Sequence, residues 1–269
     1  MLIWKNTSTL NGYDDGLFFT NDKNKAEIVL LGTKSIDINE FPNLKGIFRA
    51  GIGKDNVPEL EAKNRGIEIG YPSKKTINVI YEETSSFACS LILRMMYSNI
   101  GTLNPWIKQP RTKITKKTLL IIGTGNIGQR VQKLMKTFMN VVTYDILENK
   151  ESELKPLVSI ADCITLHIPK NNDGTAFINS QKLSWMKNGS SLINTSRGSI
   201  VDEDSLFKEI KSGRIKAAFD VFWIEPYLGK LKEFHPDSFY MTPHVASTCA
   251  DFLIGCNQDL KLFISSLNK

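Results

Sequence analysis

Apolar positions along this chain fall into short runs of strand length, and those runs alternate with stretches spaced for one face of a helix. Leu119 to Ile122 is such a run, and Val131, Leu134, Met135 and Phe138 follow it at helical intervals. A second run, Val141 to Tyr144, completes a strand–helix–strand unit. Upstream, Glu27–Leu31, Leu44–Arg49 and Ile67–Gly70 are predicted strands, with a short helix over Glu59–Asn64. A long helix is predicted from Ile77 to about Tyr97, then a linker over Gly101–Thr112 marked by Pro105 and Pro110. Downstream, helices are expected over Glu151–Ser159 and over Ser180–Met186, the latter capped by Ser180. Another is expected from Asp202, as N-cap, to Lys211, and a last one from about Cys249 to Leu267. Strands are expected at Cys163–Ile168, Ser191–Thr195, Ala217–Phe222 and Phe239–Thr242. Continuously apolar strands alternating with helices imply a parallel sheet covered on both faces. The expected class is α/β, a doubly wound parallel-sheet domain with a second α/β domain.

The turn inside the first unit adds chemistry to the pattern. Gly123, Gly125 and Gly128 stand at G-x-G-x-x-G spacing between strand and helix, with Asn126 and Ile127 opening the helix, and Asp145 ends the next strand. A tight turn, close approach of backbone to a pyrophosphate, and close helix–sheet packing each require one of those glycines. The helix N-terminus offers N–H groups to phosphate. Asp145 can accept both ribose hydroxyls and would repel a 2′-phosphate, which points to NAD over NADP.

Length and composition narrow the partners. A chain of 269 residues accommodates two medium domains, and 41% hydrophobic with 23% charged residues is ordinary for a globular protein. The net charge of +6 comes from dispersed lysines, so no nucleic-acid partner is expected, although the field favours a small anionic substrate. Cys89, Cys163, Cys249 and Cys256 form no C-x-x-C pair and have no histidine at metal spacing, so no metal is expected and the thiols suit a reducing cytoplasm. No apolar run reaches membrane-spanning length, so no membrane partner is expected.

Three strand-end segments carry candidate catalytic groups. In Asn194-Thr-Ser-Arg197-Gly, the arginine can grip a carboxylate or form a surface ion pair. In Asp220-Val-Phe-Trp-Ile-Glu225-Pro226, an acid can act or simply turn the chain. In Thr242-Pro-His244-Val-Ala-Ser247, His244, one of three histidines, can titrate or pack. Singly, each has an ordinary structural explanation.

Together, NTSRGSIVDE, AAFDVFWIEP and TPHVAS after GTGNIG resemble the NAD-dependent D-2-hydroxyacid dehydrogenase family, over roughly Asn43 to Ser247. The resemblance implies a Rossmann NAD-binding domain over 98–246. It also implies a smaller flavodoxin-like substrate domain built from 1–97 with 247–269. It implies that Arg197 binds the substrate carboxylate and keto oxygen, that His244 gives or takes the proton, and that Glu225 hydrogen-bonds His244. A carboxylate there stabilises the protonated imidazole. Thr195 is implied near the nicotinamide ribose, Asp220 on the carboxamide, and His167, Pro169 and Thr175 beside the adenosine half. The segment Arg49-Ala-Gly51-Ile52-Gly resembles the loop whose backbone N–H groups near Gly51 and Ile52 receive the substrate carboxylate. The wording RAGIGKDNV is closest to phosphoglycerate dehydrogenases, which implies Arg49 near a substrate phosphate and 3-phosphoglycerate as substrate in serine synthesis. Glyoxylate- or hydroxypyruvate-type 2-keto acid reductases are the alternative enzymes, and an NAD-sensing regulator of the same fold is the alternative outside catalysis. Pro58 and Tyr81 depart from the family wording, the N-terminal domain and linker are short, and feedback through a C-terminal regulatory domain is not expected. A homodimer is implied through the nucleotide domain.

Overall fold

The computed structural model describes residues 1–171 and 173–268 and divides them into two compact units, Met1–Glu83 with Ser247–Lys269, and Thr84–Ala246. The first unit carries a four-stranded parallel sheet of β1 (Ile3–Lys5), β2 (Ile28–Leu31), β3 (Gly46–Arg49) and β4 (Glu68–Gly70), in that order, with α1 (Glu59–Asn64) between the last two strands. β2 and β3 are buried at every position, which is why they read as unbroken apolar runs. Alternation still sorts their side chains. Ile28 and Leu30 join Ile3, Phe48 and Ile80 in one core layer, whereas Val29 and Leu31 join Ile38, Phe41, Ile47 and Ala62 in the other. The helix Ala250–Ser266 closes the first layer with Phe252, Leu253, Cys256 and Leu260. Its Phe263 ring lies so close to β3 and β4 that a Cβ at Gly46 or Gly70 would approach it to 2.9 Å or 2.6 Å.

The long helix α2 (Lys74–Met96) starts three residues before the expected Ile77. The division between units falls inside it, at Glu83, rather than after Tyr97. Composition along the helix gives the reason. Ile80 packs with Ile28 and Phe48, while Ala88, Leu91, Ile92 and Met95 pack with Leu119, Ile121, Ile193 and Ala218 of the second unit. The expected linker contains a small antiparallel hairpin, β5 (Gly101–Thr102) and β6 (Ile107–Lys108), on which Leu103 and Trp106 are exposed.

The second unit is a six-stranded parallel sheet in the order β12-β11-β10-β9-β7-β8. Its members are β7 (Thr118–Ile122), α3 (Asn126–Met135), β8 (Asn140–Tyr144), α4 (Glu151–Ile160), β9 (Cys163–Leu166), α5 (Ser180–Ser184), β10 (Ser191–Asn194), α6 (Glu203–Lys211), β11 (Lys216–Phe219) and β12 (Phe239–Met241). The chain adds β8 on one side of β7 and then returns to add β9 on the other, so the strand order reverses at β7. In such sheets ligands bind outside the carboxyl ends of the strands at that reversal. Asp202 caps α6 by accepting the Ser205 N–H, as its position implied. The cap of α5 is Asn179, not Ser180: its side chain accepts the Lys182 N–H three residues on, and Ser180 is already the first helical residue. Among the described residues no helix is long and apolar enough to cross a membrane.

Candidate active site

The glycine turn sits at the carboxyl end of β7. Gly123 has φ +96, and a Cβ there would stand 2.4 Å from the His167 carbonyl oxygen. A Cβ at Gly128 would fall 1.9 Å from the Gly123 carbonyl oxygen, so the helix leans on the turn at glycine distance. At Gly125, the N-cap position of α3, an added Cβ meets nothing within 4 Å. Two of the glycines are thus fixed by protein backbone, and the third faces open space. Of the two residues that open the helix, Asn126 is exposed, whereas Ile127 packs against the core below.

Asp145, just past β8, ties this turn to the neighbouring strand. One carboxylate oxygen accepts the Thr124 N–H at 2.8 Å and the Thr124 hydroxyl at 3.0 Å; the other accepts the Leu147 N–H at 3.0 Å. Those N–H donors, Thr124 first, hold its carboxyl below the usual value against the opposing effect of burial. The group is an anion at neutral pH, beside a turn built to admit backbone close to a ligand.

Two buried polar atoms in this unit have no hydrogen-bond partner among the described residues: His167 Nδ1 and Thr195 Oγ1. They follow β9 and β10, which are adjacent in the sheet. Burial pushes the His167 imidazole down to about 4, so the ring is neutral, and its Nε2 lies 3.0 Å from the Thr165 hydroxyl. A buried polar atom left unpaired is rare and calls for an external partner. Orphaned groups at two adjoining strand ends, open space at Gly125 and a fixed anion at Asp145 all fit a bound dinucleotide. Pro169 follows His167 on the same strand end, whereas Thr175 is exposed and tied within its own loop, its N–H and hydroxyl both donating to Asp173. Replacing Asp145 with serine keeps an acceptor for Thr124 while removing the charge. The ratio of kcat/KM with NADH to that with NADPH is then expected to fall about tenfold or more, roughly 1.4 kcal/mol. A parent protein that already prefers NADPH would refute the assignment.

The acid–base pair is assembled from two loops. Glu225 accepts the Phe222 N–H at 3.1 Å and presents both carboxylate oxygens to His244 Nδ1, at 3.0 and 2.9 Å. Burial alone would raise the Glu225 carboxyl. The hydrogen bond and charge of His244, the Phe222 N–H and the Arg197 charge outweigh it, and the net shift is downward. Glu225 is therefore ionised at neutral pH and holds a proton on Nδ1, which leaves Nε2 as the nitrogen that can exchange one with a ligand.

Arg197 follows β10, and its loop is locked from within. Buried Asn194 donates to the Arg197 carbonyl at 2.9 Å and accepts the Ser196 N–H at 3.0 Å, and Ser196 Oγ donates to the Leu166 carbonyl. The Arg197 side chain donates to the Ser196 carbonyl at 2.8 Å. Gly198 passes so close to the loop after β11 that a Cβ would lie 2.1 Å from the Phe222 carbonyl carbon. The structure thus brings Arg197, Glu225 and His244 into one electrostatic neighbourhood at adjoining strand ends. Sequence reading passed over Asn194 and Thr242, whose side chains hold these loops; a fully buried polar residue ending an apolar strand is the signal that marks Asn194.

In the first unit, Arg49 ends β3 and is only 4% exposed. Its guanidinium donates to the carbonyls of Ala50 at 2.7 Å, Gly53 at 2.9 Å and Leu31 at 3.5 Å, bracing the loop that follows. Gly51, at φ +147, leaves room for that guanidinium: a Cβ would stand 2.8 Å from Nη1. The Gly51 N–H donates to the Arg49 carbonyl, so within the expected Gly51–Ile52 anion pair the Gly51 donor is already engaged.

Comparison with known proteins fits this geometry. The model of the D-isomer specific 2-hydroxyacid dehydrogenase NAD binding domain matches residues 98–246. Hydroxypyruvate reductase from Thermotoga maritima is 31% identical over 222 residues, covering 78% of this chain and 72% of that protein. D-3-phosphoglycerate dehydrogenase from Synechocystis is 33% identical over 239 residues, covering 81% of this chain but 42% of that longer protein. The crystal structure of D-lactate dehydrogenase from Aquifex aeolicus, complexed with NAD and lactic acid, superposes with a TM-score of 0.80 at 23% identity, covering 100% of this chain and 96% of that one, a likeness of fold.

Proposed function

The chain belongs to the D-isomer specific 2-hydroxyacid dehydrogenase family, NAD-dependent oxidoreductases acting on CH–OH donors, and on that premise we propose that it reduces a short, unphosphorylated 2-keto acid to the D-2-hydroxy acid. The observation that carries the chemistry is the two-oxygen contact of Glu225 with His244 Nδ1 beside the charge of Arg197. When bound, the nicotinamide supplies the hydride. His244 delivers a proton from Nε2 to the keto oxygen, and Glu225 stabilises the imidazolium form that delivers it. Arg197 orients the substrate carboxylate and offsets negative charge developing on the oxygen. Gly125 lets backbone approach the pyrophosphate in a turn that Gly123 and Gly128 shape, Asn126 and Ile127 open the helix above it, and Asp145 accepts the adenosine ribose hydroxyls. Thr195 and His167 lend their orphaned atoms to the cofactor.

Substrate size rests on Arg49. A guanidinium buried against two loop carbonyls and the carbonyl that ends β2 supports a bracing role rather than a phosphate ligand, which favours hydroxypyruvate or glyoxylate. The loop wording and the phosphoglycerate dehydrogenase relatives support 3-phosphoglycerate as the second reading. Oxidation of NADH with glyoxylate, hydroxypyruvate and phosphohydroxypyruvate decides between them. Higher kcat/KM for an unphosphorylated acid is expected, together with equal losses on all three in Arg49→Ala. A selective rise in KM for phosphohydroxypyruvate would restore the phosphate role. Tight NADH binding without turnover of any keto acid would favour the sensing protein instead. The reading includes a homodimer, supported by exposed Leu103 and Trp106 on the hairpin, and a cytoplasmic location, suited to four free cysteines.

A further inference from the structure

We propose that Asn149 is the positioning residue of the acid that selects the cofactor, closing the loop after β8 so that the Asp145 carboxylate stays aimed at the adenosine ribose. The inference rests on Asp145 taking those hydroxyls. Asn149 closes the loop with backbone and side chain together. Its N–H donates to the Asp145 carbonyl at 2.8 Å, and its Oδ1 accepts the Asp145 N–H at 3.0 Å. Its Nδ2 donates to Glu153 Oε2 at 3.0 Å, while Glu153 Oε1 accepts the Lys150 N–H at 3.1 Å at the start of α4. One side chain thus ties the end of β8 to the first turn of the next helix.

The carboxylate depends on that closure. One of its oxygens is held by Thr124 in the glycine turn after β7, and the other by the Leu147 N–H inside the loop. The Thr124 half of this clamp belongs to the sheet. The Leu147 half belongs to a loop whose Ile146, Leu147 and Glu148 side chains are exposed, so burial does not hold it in place. Cofactor choice needs both halves. Two ribose hydroxyls are accepted only by oxygens at fixed positions, and a 2′-phosphate is repelled fully only by a charge that cannot turn away. A carboxylate on a loosened loop swings toward solvent and loses both effects.

Titration with NADH and with NADPH, followed by ligand fluorescence, tests this in Asn149→Ala, with Asp145→Ser measured beside it. In Asn149→Ala the dissociation constant for NADH is expected to rise about tenfold and that for NADPH to stay within about twofold, so the preference narrows. KM for NADH should rise in step, while kcat at saturating NADH changes by less than about threefold. Glu153→Gln sets an amide donor against either Asn149 or the Lys150 N–H, and is expected to narrow the preference by about threefold. Equal weakening of both cofactors in Asn149→Ala would overturn the proposal and leave Asn149 a brace of the fold; an unmoved NADH dissociation constant would overturn it outright. If Asn149→Ala fails to fold, Glu153→Gln decides by the same ratio. An unmoved ratio in Asp145→Ser would defeat the ribose reading itself, whereas a shifted ratio there with an unmoved one in Asn149→Ala removes the positioning role alone.

Discussion

His244→Asn is expected to lower kcat by about 10²- to 10⁴-fold, the range that a positioned general acid supplies, while NADH affinity stays within about twofold. Asparagine retains a polar side chain of similar reach but cannot shuttle a proton. Glu225 would keep a donor for one of its oxygens, so the loop is not left with a bare buried carboxylate. Glu225→Gln tests the other half of the pair. The Glu225 carboxyl lies below its ordinary value, so its charge is present throughout the neutral range and favours the protonated ring facing it. Without that charge the ring loses the partner that orients it and stabilises its cationic form, and kcat for keto-acid reduction should fall by about tenfold or more. Stopped-flow traces of NADH oxidation by the two variants measure both effects. A His244→Asn protein as fast as the parent would end the mechanism.

The second large effect concerns the glycine turn. In Gly128→Ala the new methyl would fall 1.9 Å from the Gly123 carbonyl oxygen and 3.0 Å from its carbon, both backbone atoms that no rotamer change can remove. Overpacking of this kind costs about 1–3 kcal/mol, and here it displaces α3 from the turn that it supports. A lower Tm together with NADH affinity weaker by a hundredfold is expected. Gly125→Ala is the counterpart: its Cβ meets nothing within 4 Å, so the Tm of the protein alone should hold while NADH affinity falls. Calorimetry on both variants, with and without NADH, separates protein packing from cofactor approach. Undiminished NADH binding in Gly125→Ala would remove the pyrophosphate from that position.

Much of this was legible along the chain because each element satisfies a local rule. The β7–α3–β8 unit declares itself through strand-length runs, helical spacing and glycine at the junction, and Asp202 caps α6 because a short acceptor precedes an amphipathic stretch. β1 was not visible: three residues are too few for a period, and Ile3 is buried by partners distant in sequence. The hairpin of β5 and β6 hides behind Pro105 and Pro110, which mark a turn without saying that the chain pairs across it. The side chains of Glu225 and His244 could be named from sequence, but their meeting depends on a left-handed turn that no local pattern demands. Arg49 is the sharpest case. Its charge suggested an external anion, whereas the direction of its guanidinium is set by carbonyls of the loop that follows it and of the end of β2.

The helix of residues 250–266 supplies Phe252, Leu253, Cys256 and Leu260 to a core whose other walls are made by residues 3–80. During synthesis those walls leave the ribosome first and wait, their apolar layer uncovered, while the nucleotide-binding unit, continuous from 84 to 246, emerges with every strand it needs. The segment made first is completed last, and a stalled or truncated nascent chain exposes the Ile28–Leu30–Phe48 layer to chaperones and to aggregation.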